Sequence, residues 1–276
     1  MQKALILTVL VVLITNTVTA QSHQDERPFR IGTSLGYSFT GYREETYSSV
    51  NRYLNTLTFI IDGNIKRGNF LHSLNFGFFT GNAEMAAGER AALIRLPDPI
   101  TGESYYLAVF PQNRSIRGYL EYALAHRLWG NETFPGYLGG GFRADTYMQF
   151  ASYPGITALL SINLHASQKW IINSESGLIL SVGVPVFGYA VRPGFVGVDY
   201  AMMQYAAENP LRIITLGRIT SLHNHWAVFG DLKYHHQINP LLSLYSGLGF
   251  ELSRINFPRP RTDAILRLSS GIAFTF

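Results

Sequence analysis

The residues able to do chemistry are few and scattered. His223-Asn224-His225 sets two imidazoles two residues apart. On a strand both would share one face and could supply two ligands to a divalent metal, but no third ligand follows from the spacing. His235 and His236 are adjacent and so point to opposite faces. His165-Ala166-Ser167 sets a base beside a hydroxyl that it could activate. Asp145, Asp199 and Asp263 stand singly, without the spacing of a paired-acid site. Gly139-Gly140-Gly141 lacks the Lys-Ser/Thr of a phosphate loop, and suits strand bending or close packing better. Asn131-Glu132-Thr133 and Asn113-Arg114-Ser115 match glycosylation sequons. The chain has no cysteine, which excludes disulfides, Cys-ligated metals and thiol catalysis. No catalytic set, metal site or cofactor is expected.

The charged residues instead share a phase within a two-residue period. In 29–41, Phe29, Ile31, Leu35, Tyr37 and Phe39 alternate with Arg30, Gly32, Ser34, Gly36, Ser38 and Thr40. Similar alternation recurs in 53–64, 70–78, 116–127, 137–143, 160–165, 172–184, 226–237, 242–252 and 266–276. Each segment reads as a strand with one apolar and one wet face, which makes ten strands. Their connections alternate in length. Short ones lie at 66–69, 129–133, 166–169 and 238–240, after even strands; longer ones lie at 42–52, 82–112, 146–156, 189–224 and 256–263, after odd strands. Segments 104–110 and 211–221 could add strands, so twelve is the alternative count.

Composition and the N-terminal segment leave two classes, a chain free in an exported compartment or one that crosses a membrane as strands. Charged residues are 14% of the 276 and aromatics 13%, which excludes a mainly disordered chain. The formal charge of +4 comes without Lys/Arg runs, so no nucleic-acid face is expected. Lys3, the apolar run 4–14 and Val18-Thr19-Ala20 read as a signal peptide over 1–20, cleaved after Ala20. The remainder, 21–276, reads as one domain. Its longest apolar stretch, 178–191, is broken by Ser181, Gly183, Pro185 and Gly188, so no spanning helix is expected.

The last segment carries Leu266, Leu268, Ser270, Ile272, Phe274 and Phe276 on one face. With the signal peptide and the alternation, this ending resembles bacterial outer-membrane β-barrels. The resemblance implies an all-β, antiparallel up-and-down transmembrane barrel in the outer membrane, in contact with lipid and lipopolysaccharide. It also implies that Leu268, Ile272, Phe274 and Phe276 form a terminal signal for the barrel-assembly machinery. Strand-end aromatics Tyr42, Tyr53, Trp129, Phe134, Trp170, Tyr189, Trp226 and Phe276 suit headgroup girdles. A secreted soluble sandwich is the rival fold.

Two enzyme families of such barrels supply comparisons. The His-x-Ser of outer-membrane lipid A deacylases is similar to His165-Ala166-Ser167, but faces lipid with a carboxylate partner; here His165 faces inward near the short-turn end. Omptin proteases carry paired acids and an Asp–His pair at the outer rim. Here Asp145, Asp199, Asp263, His223 and His225 are the scattered outer candidates.

Within the barrel, Asp62, Arg117, Glu121, Arg127, Arg143, Glu175, Asp231, Lys233, Glu251 and Arg267 are expected to face inward. The alternative on the lipid face costs about 2–4 kcal/mol for Arg or Lys near the midplane. Balanced charges could form either a salt-bridged plug or a narrow charged pore. The function expected is envelope structure, surface interaction or restricted small-solute passage, with a rim enzyme acting on lipid or peptide as the alternative. The long segments 82–112 and 189–224 are the expected binding loops. Within them, 85–87 suggests a helical turn and 200–208 a short helix ended by Pro210.

Overall fold

A computed structural model describes residues 29–44, 48–85, 92–97, 104–109, 113–150, 155–192, 208–209, 215–257 and 260–276. The signal peptide, the turn at 86–87, Asp199 and all of the helix at 200–208 except Glu208 lie outside the described residues. The strands are β1 (Phe29–Glu44), β2 (Ser48–Arg67), β3 (Phe70–Met85), β4 (Ala92–Pro97), β5 (Ser104–Val109), β6 (Asn113–Trp129) and β7 (Gly136–Phe150). They continue as β8 (Gly155–Ile171), β9 (Ser176–Val191), β10 (Arg218–Ser221), β11 (His225–Gln237), β12 (Leu242–Ile255) and β13 (Arg261–Thr275).

Every pairing is antiparallel, and β1 pairs with both β2 and β13, closing the sheet into a barrel. Ten strand positions make the wall. The twelve-strand alternative fails for two separate reasons. Segment 104–109 is a strand, but it pairs only with β4 in a separate two-stranded sheet. Segment 218–221 is also a strand, and it lies on β9 in line with β11. Its register on β9 is offset by four residues from that of β11, and residues 222–224 loop out between them.

Following register partners round the sheet from Lys169 leads through Ile179, Lys233, Gly247, Ser269, Gly36, Thr58, Phe79, Arg117 and Tyr147. The walk re-enters β8 at Thr157, twelve residues from its start. With a rise of ~3.3 Å per residue and strands ~4.8 Å apart, this stagger tilts the strands by about 40°. One row of register partners therefore climbs from one mouth of the barrel to the other.

The four tight turns occupy one end. Gly68 and Gly130 take positive φ, 57° and 82°, in the first two. Three turns open with asparagine, whose Oδ1 accepts two backbone N–H bonds: from Thr133 and Phe134 onto Asn131, Glu175 and Ser176 onto Asn173, and Leu241 and Leu242 onto Asn239. The side-chain acceptor replaces a backbone one and fixes the reversal. The third turn corrects the expectation at 166–169, because β8 runs on to Ile171 and reverses at 172–175. The sequon Asn131 is one of these turn asparagines.

Outside, Leu35, Leu57, Leu74, Leu120, Leu160, Leu248 and Leu268 are exposed; inside, Ser38, Thr56, Asp62, Ser161 and Arg143 are buried. A soluble sandwich inverts this order, which excludes it. Tyr53, Trp129, Phe134, Trp226 and Phe276 are exposed strand-end aromatics as expected, whereas Tyr42 is buried and packs inward on Leu54. Its even position in β1 gives it the phase of Ser38. The phase reverses once in β9, where Val186 is an extra residue between Asn163↔Pro185 and Ile162↔Phe187. A bulge suits Pro185, which has no N–H to give a ladder.

Candidate functional site

The lumen holds the charged residues, sorted by strand height. In its loop-end half, Arg117 on β6 and Glu251 on β12 sit five strands apart in the ring of ten, diametrically opposed. Arg117 Nη2 nevertheless donates to both Glu251 oxygens, at 2.7 and 2.8 Å, and to Asp145 at 2.8 Å. Arg143 donates to Asp145 at 2.6 Å and to Glu251 at 2.8 Å, and lies 3.9 Å from Glu121. Its guanidinium is sandwiched between the rings of Tyr119 and Phe229, 4.5 and 4.3 Å from their centroids. Two arginines thus share two carboxylates across the bore, with aromatic faces filling the remaining sides.

Midway, Arg267 pairs with Asp231 and lies over Gly249; its Nη1 reaches the Tyr119 hydroxyl at 3.5 Å. A Cβ at 249 would stand 2.5 Å from the guanidinium, so an alanine there would have to push this flexible head group aside. Toward the turn end, Asp62 accepts from Lys233 at 3.3 Å and from the Tyr245 hydroxyl at 2.9 Å. These contacts also cross the bore, joining β2 to β11 and β12. Two cavities of about 20 Å³ each lie among Phe79, Arg117, Tyr147 and Arg261, and among Tyr119, Arg143, Asp231 and Arg267. Each is large enough for about one water.

Of the ten inward candidates, the structure brings Asp62, Arg117, Glu121, Arg143, Asp231, Lys233, Glu251 and Arg267 into this lumen. Two differ. Arg127 faces inward but sits at the turn-end mouth, where it donates to the Gly130 carbonyl at 3.3 Å. Glu175 lies in the 172–175 turn and is exposed, because β8 is longer than its pattern suggested. Asp145, expected at the outer rim, is inside. It follows Arg143 by two residues on β7 and keeps its phase, the signal that could have placed it.

Among the described residues the chemical candidates are not assembled into a reactive set. His223 is exposed in the loop beside Ser221, whereas His225 begins β11 and is buried, so the turn breaks the common face a strand would give. His165 and Ser167 both face inward, but Ser167 pairs with Ser181 at 3.3 Å rather than with His165. Asp263 is held by Arg261. His236 and His235 take opposite faces, with His236 bonded to Ser176 at 3.0 Å. Gly139 and Gly141 lie where a Cβ would meet the Leu124 and Tyr122 carbonyls at 2.0 and 2.2 Å. Among the described residues no group of three or more metal-ligating side chains converges.

No family model and no curated protein matches the sequence. Solved structures do. The outer membrane protease OmpT of Escherichia coli is 7% identical, with a TM-score of 0.55 over 95% of this chain and 100% of that one. The translocator domain of the autotransporter NalP from Neisseria meningitidis is 11% identical at a TM-score of 0.44, covering 100% of this chain and 95% of that one. An outer membrane channel from Pseudomonas putida F1 is 8% identical at 0.43, covering 95% and 100%. The OmpT likeness assigns this chain the fold of bacterial outer-membrane β-barrels.

Proposed function

We propose that this protein is an integral outer-membrane barrel with a sealed lumen, a rigid envelope anchor that presents its long connections for surface interaction. The observation that carries the reading is Arg117 reaching Glu251 from the opposite wall. That contact and its neighbours leave water-sized gaps where a channel would need a continuous path. The turn end then faces the periplasm and the loop end the exterior. Lipid surrounds the apolar outer face. Leu268, Ile272, Phe274 and Phe276 all face outward on or beside β13, and Phe276 stacks on Phe29 at 5.9 Å, which supports reading them as the assembly signal. The reading gives the protein no catalytic step.

Solute flux tests it. Liposomes carrying the folded protein are expected not to swell in glycine or small sugars. A variant joining Arg117→Ala to Glu251→Ala removes the cross-bore bridge and is expected to admit glycine. Swelling with the unsubstituted protein at rates comparable to the variant would refute the seal.

A further inference from the structure

The turn-end mouth of the lumen is built differently from the neutralised middle. Arg30 on β1, Lys66 on β2, Arg127 on β6, Lys169 on β8 and His235 on β11 each occupy an inward phase within the last few residues of their strands at that end. They share one mouth, where Lys66 lies within electrostatic reach of Lys169 and Arg127, Lys169 of Arg30, and the His235 ring of both Arg30 and Lys169. The acid acting on Arg30 is Asp62, already held by Lys233 and Tyr245. Glu132 and Glu175 are exposed in the turns, and the Glu132 carboxylate acts on Lys66. Among the described residues, no ion pair joins Arg30 or Lys169 to a carboxylate. Arg30 Nε and His235 Nδ1 are buried without a hydrogen-bond partner, and His165 Nδ1, also unpartnered, lies above them on a side chain 6% exposed. Gly177 leaves room for the His235 ring, since a Cβ there would stand 2.5 Å from its Cε1.

Like charges gathered at the mouth of a low-dielectric bore cost stability, and the buried Arg30 Nε–H without an acceptor adds to that cost. A multivalent anion removes both penalties. We infer that this mouth is a binding site for a phosphate-class polyanion entering from the turn-end aqueous side, held by Arg30 and Lys169 within the basic ring. Guanidinium and ammonium donors spread around a ring match an anion with several oxygens pointing in different directions. This site lies beyond the sealed-lumen reading and does not depend on it.

The probe is pyrophosphate, added to the folded protein in neutral detergent with ionic strength held constant by sodium chloride. The readout is the thermal midpoint of the gel-mobility shift between folded and unfolded forms. Pyrophosphate is expected to raise the midpoint by about 5 °C and to saturate. Lys169→Gln and Arg30→Gln should each raise the ligand-free midpoint, by relieving repulsion, and reduce the pyrophosphate shift by at least half. Lys169→Arg should keep the shift. Anionic phosphatidylglycerol in the micelle, tested separately, should not reproduce it. The proposal is overturned if chloride at equal ionic strength matches pyrophosphate, if only the lipid headgroup produces the shift, or if Lys169→Gln lowers the ligand-free midpoint and leaves the shift intact.

Discussion

Glu251 accepts from two arginines on strands across the bore, so its loss leaves two buried cations short of a partner. Glu251→Ala is expected to destabilise the folded barrel by about 3–5 kcal/mol, read from the urea unfolding midpoint in detergent. A change below about 1 kcal/mol would mean the bridge is not formed. Glycine makes a second test at this scale. A Cβ on Gly77 would stand 2.2 Å from the buried Tyr119 ring, whereas one on Gly118 meets only the Gly77 carbonyl, at 3.8 Å. Gly77→Ala should therefore cost about 1–3 kcal/mol and Gly118→Ala less than about 0.5; equal effects would contradict the packing. Phase along a strand made most of the lumen charges legible in the sequence, because period two fixes the side on which a residue lies. It does not fix height. Height depends on where each turn falls and on the stagger between strands, so the pattern places Arg127, Glu175 and Asp145 on or near the right strand but at the wrong level. The partnership of Arg117 with Glu251 needs the ring closed before the two can be seen to face each other.

Strand identity was legible wherever one face is apolar and the other wet, and lost where that contrast fails. Val184-Pro185-Val186-Phe187 shows no alternation, so the bulge that reverses phase in β9 leaves no mark in the pattern. Segments 104–109 and 218–221 have strand-like residues but different roles, one outside the wall and one continuing it. No local feature distinguishes an added wall strand from a hairpin in a connection. Of the three turn asparagines, only Asn131 belongs to another sequence motif, a glycosylation sequon. Depth along a strand gives an element-scale test on β13. Leu268 faces outward in mid-strand and Thr262 faces outward near the loop end. Leu268→Arg is expected to destabilise the barrel in a lipid bilayer by about 2–4 kcal/mol and Thr262→Arg by at most about 1. Equal costs in bilayer unfolding titrations would mean that β13 does not cross the hydrocarbon with this tilt.

For the whole molecule, closure and filling are linked. Ten staggered strands enclose a bore that large side chains can span, and the charged pairs that span it join walls that share no hydrogen-bonded ladder. The barrel is thereby braced across its diameter as well as around its circumference. Removing Phe276 takes away both its stack on Phe29 and the bond from its N–H to the Phe29 carbonyl at 2.9 Å, at the seam between first and last strands. Deletion of Phe276 should lower the yield of heat-modifiable barrel in cells several-fold; an unchanged yield would remove the residue from assembly. The proposed function requires that the cross-bore charges seal the lumen. Single-channel recording of the demonstrably folded protein in a planar bilayer tests it most directly. No discrete current steps are expected at either low or high salt, while reproducible, ion-selective steps from the unsubstituted protein would contradict the seal.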